Sequence, residues 1–221
     1  MRRTCPLIAV SLAIAFLLVS TVPAGAYKAR PWSPRKPDTY PARLVSENVT
    51  IAVDPLHTDV AAAQVFDKKD MVTRGIMPLA IVVFNDNDFP LLIEGESIEL
   101  IQEDERLRTV TPLEAVGKLF PKSAKSVLSS PTGIPKTGAS GPNQDALEDF
   151  YHKFFGQKVV PPKGAAAGFL YLRVPERKDL SEYLSAARVY IPEIARQDTS
   201  ASLIFFEIDL KSAFPPVGGV R

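Results

Sequence analysis

Ile76-Met77-Pro78-Leu79-Ala80-Ile81-Val82-Val83-Phe84, then Asn85-Asp86-Asn87-Asp88, then Pro90-Leu91-Leu92-Ile93 and Ser97-Ile98-Glu99-Leu100-Ile101 is the stretch whose reading decides the fold. The first run is apolar, rich in β-branched residues and as long as a strand. Four turn-forming residues break it. Two shorter extended runs follow. The spacing predicts two consecutive antiparallel strands, the first deeply buried and the second half-buried.

Working outward, the flanks supply more strands. Leu44 to Val53 alternates Val49, Ile51 and Val53 with Asn48, Thr50 and Ala52, which predicts one strand ending at Asp54-Pro55. Gly168 to Val174 alternates Phe169, Tyr171 and Arg173 with Leu170, Leu172 and Val174. Arg188 to Ile191 and Ser202 to Lys211 read as two more strands, the latter with Ile204, Phe206, Ile208 and Leu210 on one face. Thr58 or Asp59 is placed to cap a short helix through Phe66. Thr111-Pro112-Leu113-Glu114 is a capping-box helix start, with Leu113, Val116, Leu119 and Phe120 on one face. Asp145 to Gly156 carries Leu147, Phe150, Tyr151, Phe154 and Phe155 at helical spacing, with Gly156 suited to a left-handed stop. Because strands follow one another without a helix in each gap, a wound parallel sheet is disfavoured. The expected fold is mainly β: an antiparallel immunoglobulin-like β-sandwich of about seven strands with two or three short helices.

Met1 to Ala26 has the form of a secretory signal peptide. Arg2 and Arg3 precede an apolar core at Leu7 to Val19, and Ala24-Gly25-Ala26 predicts cleavage after Ala26. Cys5 lies ahead of that core, so it is not placed as a lipoprotein cysteine. Cleavage leaves about 195 residues without a cysteine, and 24 Lys and Arg against 25 Asp and Glu. That balance gives no bulk drive toward nucleic acid or anionic lipid. No later stretch reaches the roughly 18 apolar residues of a membrane-spanning helix. The expected location is extracytoplasmic, periplasmic or secreted. Residues 27–43, with Pro31, Pro34, Pro37 and Pro41, read as a linker. Residues 44–212 form the single sandwich domain, with a flexible loop at 121–143, and 213–221 are a tail.

Two stretches resemble a pattern found in secreted bacterial envelope proteins with β-sandwich, immunoglobulin-like domains. One is Phe66 followed by Arg74-Gly75-Ile76-Met77-Pro78-Leu79 and Asn85. The other is Pro161-Pro162-Lys163-Gly164 followed by Gly168-Phe169-Leu170-Tyr171, after an aromatic helix. The resemblance implies an envelope sandwich domain and carries no activity and no functional residues.

Reactive constellations are sparse. His57, between Asp54 and Asp59, is the best candidate for an acid–base or metal site. His152 lies beside the aromatic stripe. Gly138-Ala139-Ser140-Gly141 lacks nucleophile-elbow spacing. Asn85-Asp86-Asn87-Asp88 resembles the opening of a calcium loop, but Phe89-Pro90 interrupts it, and a hairpin turn explains all four residues. Glu94 and Glu96 fall on one face of a strand with Glu99 on the other, as charges on a wet sheet face do. Asn48-Val49-Thr50 is a glycosylation sequon, read here as lying inside a strand. No residue is therefore assigned as catalytic, cofactor-binding or metal-binding, and no cofactor is expected. The expected function is a non-enzymatic binding or scaffold domain with a protein or envelope partner, recognised through an exposed sheet edge or the long loop. The alternatives are a hydrolase with its site near His57 and a self-associating structural component.

Overall fold

Strand β3, Ile76–Asn85, is buried along its length except at Phe84. A strand apolar on both sides needs cover on both faces, and this one has it. The computed structural model describes residues 27–107, 109–121, 142–174 and 179–214. The expected signal peptide at 1–26, residues 122–141 of the expected loop, and the tail beyond Phe214 lie outside them.

The first sheet runs β1-β2-β3-β9-β7, all antiparallel. Its other members are β1 (Ala42–Ser46), β2 (Val49–Pro55), β7 (Thr109–Val110) and β9 (Gly164–Arg173). The second sheet contains β4 (Leu91–Glu94), β5 (Glu99–Gln102), β6 (Glu105–Leu107), β8 (Gln157–Val160), β10 (Arg188–Arg196) and β11 (Ser202–Asp209). Along one edge β10 pairs with β11. Along the other it pairs with β5 near its start and β4 near its end, and β6 and β8 extend these outward. The two sheets pack face to face over one apolar core. Ile51, Val53, Met77, Leu79, Ile81 and Leu170 come from the first sheet; Ile93, Leu100, Val189, Ile191, Phe206 and Ile208 from the second. Each such side chain contributes about 1.5–3 kcal/mol by leaving water. The molecule is thus a mainly antiparallel β-sandwich.

The outer face of the first sheet is covered by a third layer. Helices α1 (Asp59–Val65), α2 (Pro112–Leu119) and α3 (Pro142–Lys153) pack with Phe66, Phe150, Phe169 and Tyr171 into a second apolar cluster. Thr111 and Glu114 form the expected capping box at the start of α2. Within α2, however, Ala115, Val116 and Leu119 are the buried face, and Leu113 is 39% exposed. Helix α4, Leu180–Ser185, adds Tyr183 and Leu184 to the core between the sheets.

Several sequence expectations are corrected. Eleven strands are described rather than about seven, because several are only two to five residues long and too short to show a period. The strand expected at 44–53 is a hairpin. Glu47 and Asn48 form its turn with φ of 49° and 55°, so the sequon asparagine is an exposed turn residue. The central stretch is not a hairpin: β3 belongs to the first sheet and β4 to the second. Buried Asn85 holds this corner. Its Nδ2 donates to the carbonyls of Phe89 (2.8 Å), Pro161 (3.1 Å) and Val160 (3.3 Å), and its Oδ1 accepts from Asn87 N–H (3.0 Å). The left-handed glycine is Gly75, with φ of 78°, and not Gly156. Finally, Tyr27 to Tyr40 is no free linker. Tyr27 and Tyr40 are buried, the Trp32 ring lies 4.5 Å from that of Phe169, and Arg30 pairs with Asp67 at 3.0 Å. Prolines keep this arm out of the sheet ladders, with one 3-10 turn at Pro37–Thr39, while its aromatic side chains seal the sheet.

Candidate functional site

The residues singled out by sequence are mostly committed to structure. His57 Nδ1 lies 3.2 Å from the Pro55 carbonyl, and its ring meets Phe214 edge-on at 4.7 Å. Asp54 pairs with Arg35 at 2.8 Å. Asp59 accepts from the N–H groups of Val72 (2.7 Å) and Thr73 (3.1 Å) and from the Thr73 hydroxyl (2.5 Å). Both carboxylates beside the histidine thus fasten local segments. Glu94 bonds Gln157, Glu96 is exposed in a turn at Gly95–Ser97, and Glu99 pairs with Arg106 at 2.6 Å. These three do not converge. Asn85 and Asn87 are buried and tie backbone, while Asp88 is exposed and pairs with Lys163 at 3.0 Å. Among the described residues, no group of three or more His, Asp, Glu or Cys side chains is arranged to hold a metal ion. Gly138 to Gly141 lies outside the described residues.

The aromatic helix conceals a polar cluster that sequence reasoning missed. Asp149 and Lys153, one turn apart on α3, form a buried pair at 2.7 Å with side chains only 6% and 10% exposed. The Tyr27 hydroxyl donates to Asp149 at 2.6 Å, and Lys153 Nζ also donates to the Val65 carbonyl at 3.0 Å. The Tyr171 hydroxyl donates to the Phe150 carbonyl at 2.8 Å. Burial, with the Asp149 charge beside it, pushes the Tyr27 and Tyr171 hydroxyls well above the usual phenol range. Burial pulls the Lys153 ammonium below its usual range, against the opposing pull of Asp149. Every charge here has a partner, so the cluster clamps the arm to α3 and α3 to α1. The available signal was the Asp149–Lys153 spacing of four, hidden by the aromatic residues around it.

Two concave places lie among the described residues. The outer face of the second sheet carries a hollow of about 340 Å³ lined by Ile101, Arg106, Arg188, Tyr190, Phe205 and Glu207. Cross-strand pairing builds it: Arg106, Ile101 and Arg188 lie in one row, and Tyr190 faces Glu99 and Glu207 in the next. The Tyr190 and Phe205 rings stand 6.3 Å apart at 51°, and Phe205 is 59% exposed. Arg188 Nε approaches Glu207 at 4.0 Å. The arrangement offers two aromatic surfaces beside guanidinium and carboxylate groups, whose water a ligand must replace with hydrogen bonds of its own. The other place is a cleft of about 330 Å³ between the arm, the end of α3 and the start of β9.

No protein-family model matches the chain, and no curated protein matches it. Two solved structures are similar to it. The yjhA protein of Bacillus subtilis is 10% identical, with a TM-score of 0.41 over 75% of this chain and 93% of that one. The ycdA protein of Bacillus subtilis is 11% identical, with a TM-score of 0.38 over 76% of this chain, which spans only 38% of ycdA.

Proposed function

We propose that the chain is a non-enzymatic binding domain that works outside the cytoplasm and recognises a protein or envelope component through the outer face of its second sheet. The observation that carries this reading is the asymmetry of the two outer faces. Three helices and an arm lie over the first sheet, whereas on the second Phe205 stands in the open beside a half-buried Tyr190. Aromatic side chains lose little entropy on binding and bury much area, and adjacent arginines add directed hydrogen bonds. The basic, apolar and small-residue sequence at the N-terminus supports the location.

A photo-crosslinking side chain placed at Phe205, in chain expressed in its native compartment, tests both parts. Discrete adducts are expected at position 205 and not at Val60, which is 75% exposed on α1. Adducts equal at both positions, or none at 205, overturn the binding face. Recovery of the chain from the cytoplasm with residues 1–26 still attached overturns the location.

A further inference from the structure

Strand β9 has one fully paired edge and one that is not. Ten consecutive residues pair with β3 without a register shift, from Arg173 opposite Ile76 to Gly164 opposite Asn85. The other edge of β9 is covered only in part. Strand β7 pairs at Leu172 and Tyr171, and Phe155 N–H donates to the Phe169 carbonyl at 2.9 Å. That last bond fixes directions. The Phe169 carbonyl points away from β3, and in an antiparallel ladder alternate residues point the same way. The N–H and C=O groups of Ala167 and Ala165 therefore also face outward. Among the described residues none of these four groups has a partner.

Of the other strands at sheet edges, β7 is only two residues long, and the rest carry charges that discourage pairing: Arg43 on β1, Arg106 on β6, Lys158 on β8, Glu207 and Asp209 on β11. Gly164-Ala165-Ala166-Ala167-Gly168 carries none, has no proline and keeps unbroken register with β3. Space lies beside it. The 330 Å³ cleft is floored by Ala165 to Gly168 and walled by Trp32, Pro34, His152 and Lys153. The alanines keep the floor low, and the walls are apolar toward the arm. Among the described residues that line it there is no carboxylate, and Lys153 is already paired with Asp149, so the cleft offers ring and ammonium nitrogens at His152 and Lys153 and nothing to pair with a cation.

We propose that this edge binds an extended peptide by strand addition, with apolar side chains opposite Ala165 and Ala167 and an acidic rather than basic flank beside His152. Up to four backbone hydrogen bonds form, and the alternate side chains of the peptide enter the cleft against Trp32. Neither this edge nor its cleft shares a residue with the face of the second sheet, so the two readings stand or fall separately.

Trp32 is the single tryptophan of the chain, so its fluorescence reports the cleft directly. The probes are a panel of acetylated, amidated pentapeptides alternating valine and threonine, flanked by aspartate or by lysine, at concentrations up to about 2 mM. Saturable quenching or blue shift is expected with the aspartate-flanked peptides, together with amide shifts at Ala165 and Ala167. N-methylation of the two peptide amides that face the edge is expected to weaken binding at least about tenfold. Ala167→Pro removes an outward N–H without touching the β3 ladder and should abolish binding. Ala165→Asp, which puts a negative charge on the floor beside the acidic flank, should do the same if the proline variant melts early. The proposal is overturned if no peptide of the panel binds, if N-methylation changes nothing, or if lysine-flanked peptides bind as tightly.

Discussion

Asn85→Asp is the substitution that most directly tests how the two sheets are joined. The side chain is 1% exposed and keeps its shape on substitution, so packing is unchanged. The chemistry inverts. Two N–H donors shared among the carbonyls of Phe89, Val160 and Pro161 are replaced by a carboxylate oxygen facing those same oxygens, while the bond from Asn87 N–H survives. Leaving buried acceptors unpaired costs about 1–3 kcal/mol apiece, and a close unpaired charge adds to it, so a loss of about 3 kcal/mol at neutral pH is a conservative figure. For a domain of this size that lowers Tm by roughly 6–12 °C. The pH dependence gives the signature. The facing carbonyls raise the folded-state pKa of the new carboxyl above its ordinary value near 3.9, so the folded chain takes up its proton before the unfolded chain does. The deficit is therefore complete above the raised pKa and shrinks as pH falls through it, because the neutral acid regains one donor. Asn85→Ala should show a deficit independent of pH. Thermal melts of the three proteins between pH 8 and pH 4, followed by circular dichroism, decide the matter. A variant within about 1 kcal/mol of the parent, or a deficit constant with pH, would refute the corner as described.

Three further outcomes follow from the buried groups. Lys153→Met leaves Asp149 charged and buried with only the Tyr27 hydroxyl as donor, and urea denaturation should show a loss of about 3–5 kcal/mol. Alkaline stability should fall steeply. Unfolded tyrosines ionise near pH 10, whereas Tyr27 and Tyr171 keep their protons when folded, so the unfolded state binds fewer protons and gains on the folded state as pH rises. Each contributes about 1.4 kcal/mol of lost stability per pH unit above 10, opposed just below that range by Lys153, whose lowered pKa acts in the other direction. Denaturation midpoints between pH 8 and pH 11.5 measure the net slope. Gly95→Ala should cost about 3 kcal/mol or prevent folding, since its Cβ would stand 1.8 Å from the Phe155 carbonyl oxygen, whereas Gly156→Ala meets only the Phe154 ring at 3.2 Å and should be mild; soluble yield and Tm compare them.

Period was legible where elements were long. Strand β3, the Gly168 to Arg173 part of β9, the α2 capping box and the β-sandwich class all stood in the sequence because each rests on local pattern, whereas Gly164 to Ala167, small side chains without alternation, did not. Pairing was not legible. Asn85-Asp86-Asn87-Asp88 has hairpin composition, but a turn that joins two strands of one sheet and a corner that joins two sheets use the same residue types. What distinguishes them is the hydrogen bond from Asn85 to Pro161, across 76 positions of sequence. The hairpin at Glu47-Asn48 was hidden for the opposite reason. Alternation continued through it, and glutamate is not a usual left-handed residue. The candidate sites were less legible still. A short strand such as β6 shows no period of its own, and the open edge of β9 is a property of what does not reach it.

The arm ties these points together. Its composition matches a solvated linker, since proline spacing of three or four prevents it from joining any ladder. The same feature suits it to lie across a sheet face, where ladder bonds are not needed and aromatic side chains do the sealing. Tyr27 reaches Asp149, Arg30 reaches Asp67, whose carboxyl is held below its usual range first by the Lys28 N–H, and Tyr40 covers Ala52 and Val82. Trp32 is carried between these anchors to the wall of the β9 cleft. An arm held at both ends thus completes the apolar cover of the first sheet and sets Trp32 and Pro34 in the wall of the cleft over Ala165 to Gly168. Sealing the face and walling the cleft are consequences of one placement, so loosening the Tyr27 anchor should alter the cleft before it alters the sandwich beneath.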